Sequence, residues 1–241
     1  MDTVGIAILT VVASAVGTMT GFGTSTIMVP VLLLFYPLPE TLLFVGIIHW
    51  FGNLWKVLLF RGGFQWKLVL CFGVPGIVAT YIGAALVPNV SPTLLSRILG
   101  GFMIGYVVFL LLKSSFQIKA NIGTSLVGGA LSGFLAGIFG IGGAVRGLFL
   151  TAFNLPKAVY IATAGAIALF VDTTRLVKYT ADGTRLEAFG LWTMPLFIAA
   201  SFLGARLAKH IVDRIPQKHF RTVVGVFLFL VALKLLFWPG Q

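Results

Sequence analysis

Apolar runs follow one another along the whole chain, at residues 4–36, 42–60, 68–87, 94–112, 122–153, 158–171, 188–208 and 223–238, with only short polar stretches between them. Within each run the apolar residues are continuous and show no period-two alternation. This excludes an outer-membrane barrel in favour of helices. Most runs reach the roughly 20 residues that a helix needs to cross the hydrocarbon core. The pattern therefore predicts an all-α polytopic membrane protein of about eight membrane segments. The run at 158–171 is shorter, and it spans if Asp172 to Leu176 extend it while facing protein or water.

Two runs are too long for one simple crossing, and glycines interrupt both. Gly21-Phe22-Gly23-Thr24-Ser25-Thr26 breaks the first, and Gly140-Ile141-Gly142-Gly143-Ala144-Val145-Arg146 breaks the second. Each broken run ends in a Leu-Pro step, Leu38-Pro39 and Leu155-Pro156. One offset of 117 residues superimposes Gly23 on Gly140 and Leu38 on Leu155. Further on, Pro75 pairs with Pro195, Gly83 with Gly204 and Arg97 with Arg221. The chain reads as two repeats, residues 1–115 and 120–241, each opening with a Gly-broken helical hairpin. A duplicated, broken membrane segment is the sequence feature that best points to a transporter's substrate site. Small residues at helical spacing (Ser125, Gly129, Gly133, Gly137, and a shorter row of Ala13, Gly17, Gly21) read as faces for close helix packing.

Composition agrees, with 59% hydrophobic and 10% charged residues, far from soluble averages. The formal net charge of +11 raises the question of nucleic acid. However, Lys and Arg cluster at segment ends, where they set topology and meet lipid headgroups. The partners expected are the lipid bilayer and a small anion, with no nucleic acid; glycine rows leave a homo-oligomer open. Asp2 and no basic residue precede the first run, so it reads as the first membrane segment rather than a cleaved leader. Cys71 is the only cysteine, which removes an intrachain disulfide and a cysteine metal site; no cofactor or metal is expected.

Charge also orients the repeats. If each broken run is a hairpin returning to its own side, Arg61, Lys67, Lys113, Lys119, Lys157, Arg206, Lys209, Arg214 and Lys218 collect on one face. That is the positive-inside arrangement, and the repeats are then inverted. The other face carries Asp2, Glu40 and a mixed loop in which Arg175, Lys178, Asp182, Arg185 and Glu187 are placed.

The breaks are also where chemistry is expected. Free amides at the start of a half-helix, at its positive dipole end, attract anions. Gly23 and the hydroxyls of Thr24, Ser25 and Thr26 serve the first break, and Gly142 and Gly143 open the second to close approach. Alternatively, the glycines only let the hairpins cross tightly. Arg146 follows the second break in a run with no other charge. An arginine at membrane depth is a functional candidate, and its fork suits oxyanions; the plainer reading is a snorkelling or carbonyl-bound arginine. His49 and Asn53 lie one turn apart in the 42–60 run. They would contact substrate or glue helices together, and His49 could couple transport to protons. Asp172 and Arg175 read as an i,i+3 ion pair, with a coupling or gating role as the alternative. Trp66, Trp192 and Trp238 read as interfacial belt residues.

Walker loops, nucleophile elbows, metal-ligand clusters and paired midspan carboxylates are absent, so neither an ATP-driven pump nor an enzyme is expected. The duplicated glycine break, the Leu-Pro step after it and the layout of about eight segments resemble the TauE/SafE sulfite exporter family over nearly the whole chain. The resemblance implies a secondary transporter of small sulfur-containing anions in a bacterial-type cytoplasmic membrane; an anion channel or a carrier of a non-sulfur anion are the rivals. The chain departs from the family pattern in two places. Thr24-Ser25-Thr26 stand where more glycine is typical, and Gly147 replaces the partner of Pro30, directly after Arg146.

Overall fold

The computed structural model describes residues 1–20, 23–60, 63–112, 119–211, 229, 232–233 and 235–237; among them the regular structure is helical throughout, with no strand. In chain order the helices are α1 (Thr3–Thr20), α2 (Ser25–Leu32), α3 (Leu38–Leu59), α4 (Trp66–Leu86), α5 (Pro92–Leu112), α6 (Ile122–Phe139), α7 (Gly142–Thr151), α8 (Lys157–Ala181) and α9 (Met194–Ile211).

Local chemistry sets the boundaries. Pro37 precedes α3, whose first turn holds Pro39, and Pro156 precedes α8. Proline's fixed φ suits a helix start, where its missing N–H costs nothing. The repeated Leu-Pro step is thus where a long helix begins in each half. Asn121 opens α6 with a reciprocal cap: its Oδ1 accepts from the Thr124 N–H (2.8 Å), and Thr124 Oγ1 accepts from the Asn121 N–H (3.1 Å).

The two breaks share one backbone device. Gly23 and Gly140 both take positive φ, +84° and +72°, a conformation that glycine adopts without steric cost. The Gly140 N–H donates to the Ala136 carbonyl (2.9 Å) and the Ile141 N–H to that of Leu135 (3.4 Å), closing α6. The Gly23 N–H donates to the Gly17 carbonyl (3.2 Å), and Gly17 lies flat against the Gly23–Thr24 peptide, with no room for a side chain. After each break the chain doubles back. Tyr36, beyond α2, donates its hydroxyl hydrogen to the Met1 carbonyl (2.6 Å). In α7, Gly142 abuts the Ser132 carbonyl and Phe149 covers Gly128, so α7 retraces α6.

The small-residue row of α6 packs on α4: Gly129 meets the backbone of Phe72, Gly133 that of Gly76, and Gly137 that of Thr80. Thr80 Oγ1 also donates to the Gly133 carbonyl (2.9 Å). These pairs advance together, so α4 and α6 run in the same direction. On the other flank Gly204 of α9 sits against the Val11 carbonyl of α1. α3 and α8 pack together between these pairs.

Six described helices are long and apolar enough to cross a membrane, and Thr3–Met19 is a shorter apolar helix. Of the eight apolar runs expected to be membrane segments, most of the 223–238 run, with Trp238, lies outside the described residues, as do Gly21, Arg61, Lys113, Arg214, Lys218 and Arg221. The 158–171 run is extended as anticipated, because α8 continues to Ala181. That corrects the placing of Arg175 and Lys178 in a loop. Both are helical, and Arg175 is fully buried. Val171 and Tyr179 keep the inward face of the helix apolar on either side of it, while Thr173 and Val177 turn outward. Trp66 and Trp192 are exposed, at the start of α4 and in the turn before α9.

Candidate functional site

α3 and α8 are the central pair, and their facing surfaces hold charge in an otherwise apolar interior. On α3, His49, Asn53 and Lys56 follow at i, i+4 and i+7 and so share one face. On α8, Asp172 and Arg175 are one turn apart. All five are buried, none more than 4% exposed.

Asp172 is the hub. Its Oδ2 accepts from His49 Nδ1 (2.8 Å) and from Asn53 Nδ2 (2.9 Å), and its Oδ1 from Arg175 Nε (2.9 Å). The i,i+3 ion pair expected from sequence is therefore present, and it is shared with His49 and Asn53. The Asn53 amide bridges onward, since its Oδ1 accepts from Lys56 Nζ (3.0 Å). With Nδ1–H assigned to the carboxylate, neutral His49 has its acceptor nitrogen, Nε2, on the opposite edge of the ring. Three converging donors explain how a carboxylate is tolerated here, since a buried charge without partners is strongly destabilising.

Both hairpin tips rest on this hub. His49 Nε2 occupies the space where a side chain at Gly23 would begin, and a Cβ at Gly140 would lie 3.0 Å from Arg175 Nη1. The two positive-φ glycines thus cover two ligands of one carboxylate. α2 and α7 also touch each other. Behind the first tip, Thr24 Oγ1 shares a hydrogen bond with Ser14 Oγ (3.3 Å). Thr24, Ser25 and Thr26 are all buried, and Ser25 Oγ has no hydrogen-bond partner.

Arg146 sits in the middle of α7 and is buried rather than snorkelling. It lies within electrostatic reach of Asp172, Lys56, Arg175 and Tyr160. Its Nε has no hydrogen-bond partner, and neither terminal nitrogen of Arg175 meets an acceptor at hydrogen-bonding geometry. Tyr179 flanks the Arg175 guanidinium, although its hydroxyl hydrogen goes to the Gly137 carbonyl. Guanidinium N–H groups left unpaired in a buried site are costly. An anion with several oxygens supplies the acceptors they lack.

Of the residues singled out from sequence, Gly23, His49, Asn53, Asp172 and Arg175 meet at this hub, with Thr24 beside α3 and Arg146 within electrostatic reach; Ser25 and Thr26 are buried in the first turn of α2. Gly142 and Gly143 lie in the first turn of α7, and Gly142 is used for packing against α6. Lys56 escapes a reading of the sequence because, near the end of an apolar run, it looks like a topology signal. Its i+7 spacing from His49 is the available clue. Ser14 carries no signal.

The sulfite exporter TauE/SafE family profile matches residues 6–235, nearly the whole chain. A protein of Methanocaldococcus jannaschii described as a probable membrane transporter is 25% identical over 186 residues, covering 71% of this chain and 68% of its own length. With its membrane-length apolar helices, its paired glycine breaks and this family match, the chain is a multi-pass membrane protein that belongs to the TauE/SafE sulfite exporter family.

Proposed function

We propose that the chain is a secondary transporter that moves small sulfur-containing anions, such as sulfite, thiosulfate or an organosulfonate, across the cytoplasmic membrane by alternating access. The observation that carries this reading is the surplus of buried cations around Asp172, on which both hairpin tips rest, with an Arg146 Nε–H that has no hydrogen-bond partner. The anion sits between the tips. Arg146 and the hydroxyls of Thr24, Ser25 and Thr26 hold it, amides near Gly23, Gly142 and Gly143 line its approach, and His49 and Asn53 close the pocket from α3.

The mechanism uses two inverted repeats. Support comes from how the ends group. Met1, Tyr36, Glu40 and residues 187–188 lie together, because Glu40 Oε2 accepts from the Glu187 N–H (3.1 Å) and Ala188 N–H (2.8 Å) while Tyr36 binds Met1. Phe60, Phe64, Gln65 and the start of α8 lie together elsewhere, since the Gln65 N–H donates to Thr163 Oγ1 (3.1 Å) and Phe60 packs on Ile161. The first hairpin thus begins and ends with the first group. The second begins beside the α4 N-terminus, with the other group. One repeat rocking against the other would open the site to each side in turn. The His49–Asp172–Arg175 bridge, which touches both tips, is the element to be remade at each swing.

The test is counterflow in proteoliposomes. Vesicles preloaded with unlabelled sulfite or thiosulfate should accumulate the labelled anion transiently above its equilibrium level, and Arg146→Gln should remove the overshoot. A channel gives no overshoot, so flux without one would refute the carrier mechanism; no flux of any sulfur anion would refute the substrate class.

A further inference from the structure

Lys56 constrains the charge of the substrate more tightly than the two tips do, and this role rests on the proposed anion site. The buried charged side chains among the described residues are Lys56, Arg146, Arg175 and Asp172, with His49 titratable. With Lys56 protonated and His49 neutral, three cations stand against one carboxylate and two positive charges are left over. Lys56 Nζ hydrogen-bonds to an uncharged amide oxygen, that of Asn53, and to no carboxylate. Arg146, from α7, and Asp172, from α8, are the charged groups that act on it across the helix interfaces.

Such a surplus is unfavourable in a low-dielectric interior, where charges are poorly screened and like charges repel. Asp172 is already engaged on both oxygens, so the compensating charge must come from elsewhere. A monoanion would neutralise half of the surplus and leave one cation buried without a counter-charge. A small dianion neutralises it fully, and offers oxygens to Arg146 Nε, which has no partner, and to the Arg175 terminal nitrogens, which have only the Tyr179 hydroxyl beside them.

We infer that the site is charge-matched to a divalent oxyanion, and that Lys56 is the residue that sets this preference, selecting dianions over singly charged sulfonates. Lys56 reaches the bound anion from α3 while Arg146 reaches it from α7. The anion thus replaces the missing counter-charge between the two tips.

Thermal stabilisation of the detergent-purified protein tests this with two dianions, sulfate and thiosulfate, and one monoanion of similar shape, methanesulfonate. In wild type, a dianion should act at a concentration at least about tenfold below that needed for methanesulfonate, equivalent to about 1.4 kcal/mol. Lys56→Gln should weaken the dianion by about tenfold or more and leave methanesulfonate unchanged or tighter. Lys56→Arg, which keeps the charge, should keep the preference. Equal affinity for both classes in wild type overturns the proposal even if Lys56→Gln fails to fold; so does a Lys56→Gln protein that loses both classes alike. A wild type stabilised by none of the three refutes the anion site itself, a result distinct from loss of charge preference.

Discussion

The two hairpin tips share a positive-φ glycine and are furnished with different chemistry. The first presents three hydroxyl residues, Thr24, Ser25 and Thr26, and no charge; the second presents no hydroxyl between Gly140 and Arg146, and one buried guanidinium. Each tip places a positive-φ glycine on a different ligand of Asp172, His49 under Gly23 and Arg175 under Gly140. The two breaks thus share a positive-φ glycine, while their side chains differ. On the proposed anion site, one tip would give neutral donors to orient an oxyanion, and the other a charge to attract it.

The largest effect should follow from removing what the tips share. Asp172→Ala leaves Arg175 buried without its carboxylate, and breaking one side of a buried pair costs about 3–5 kcal/mol. A steep loss of thermal stability together with loss of transport is the expected outcome. Melting within a degree or two of wild type would show that the tips do not depend on the hub.

Next come the glycines. Alanine at a positive φ costs about 1–2 kcal/mol, and at Gly23 the new methyl also runs into His49 Nε2. Gly23→Ala should therefore destabilise more than Gly140→Ala, whose Cβ would stop 3.0 Å from the end of a long arginine. A double-mutant cycle with His49→Ala should recover part of the Gly23→Ala loss and none of the Gly140→Ala loss. Equal losses, without recovery, would remove the asymmetry.

Arg146→Gln should fold close to wild type and lose most anion-induced stabilisation, since a charge-assisted hydrogen bond is worth about 1.5–3 kcal/mol. The smallest effect belongs to the neutral tip. Ser25 Oγ makes no hydrogen bond, so Ser25→Ala should leave the melting temperature of the ligand-free protein nearly unchanged. It should weaken anion binding less than Arg146→Gln does, because it removes a single hydroxyl donor and no charge. A Ser25 effect larger than that of Arg146 would reverse the proposed division of labour.

Much of this arrangement could be read from residue order. Continuous apolar runs became helices, the paired glycines became turns, and the Gly129–Gly133–Gly137 row became the face pressed on α4. Each of those signals is local, fixed by a helix period or by glycine's freedom at one φ. Membership of the Asp172 hub was only half legible. The Asp172–Arg175 pair shows as an i,i+3 spacing, but His49 lies 123 residues from Asp172, and no local rule links them. Lys56 escaped for a related reason. Near the end of α3 a lysine looks like a surface anchor, and only the packing of α8 over it turns it inward. The extension of α8 through Asp172 was anticipated, but its full length was not, because Arg175 and Lys178 look like a loop when counted with Asp182, Arg185 and Glu187. They look like a helix once Arg175 is seen to share a buried face with Asp172.

The pairing of α4 with α6, α1 with α9 and α3 with α8 has a consequence for how the molecule is made. Every one of these interfaces joins an early helix to a late one. As the chain leaves the ribosome, α1, α3 and α4 enter the bilayer with their intended partners still untranslated. Their glycine-lined and charged faces, Lys56 among them, must then wait in lipid or against the insertion machinery. Assembly is therefore a late event that the second half completes, and a stall in synthesis before α8 would leave Lys56 in the membrane without Asp172.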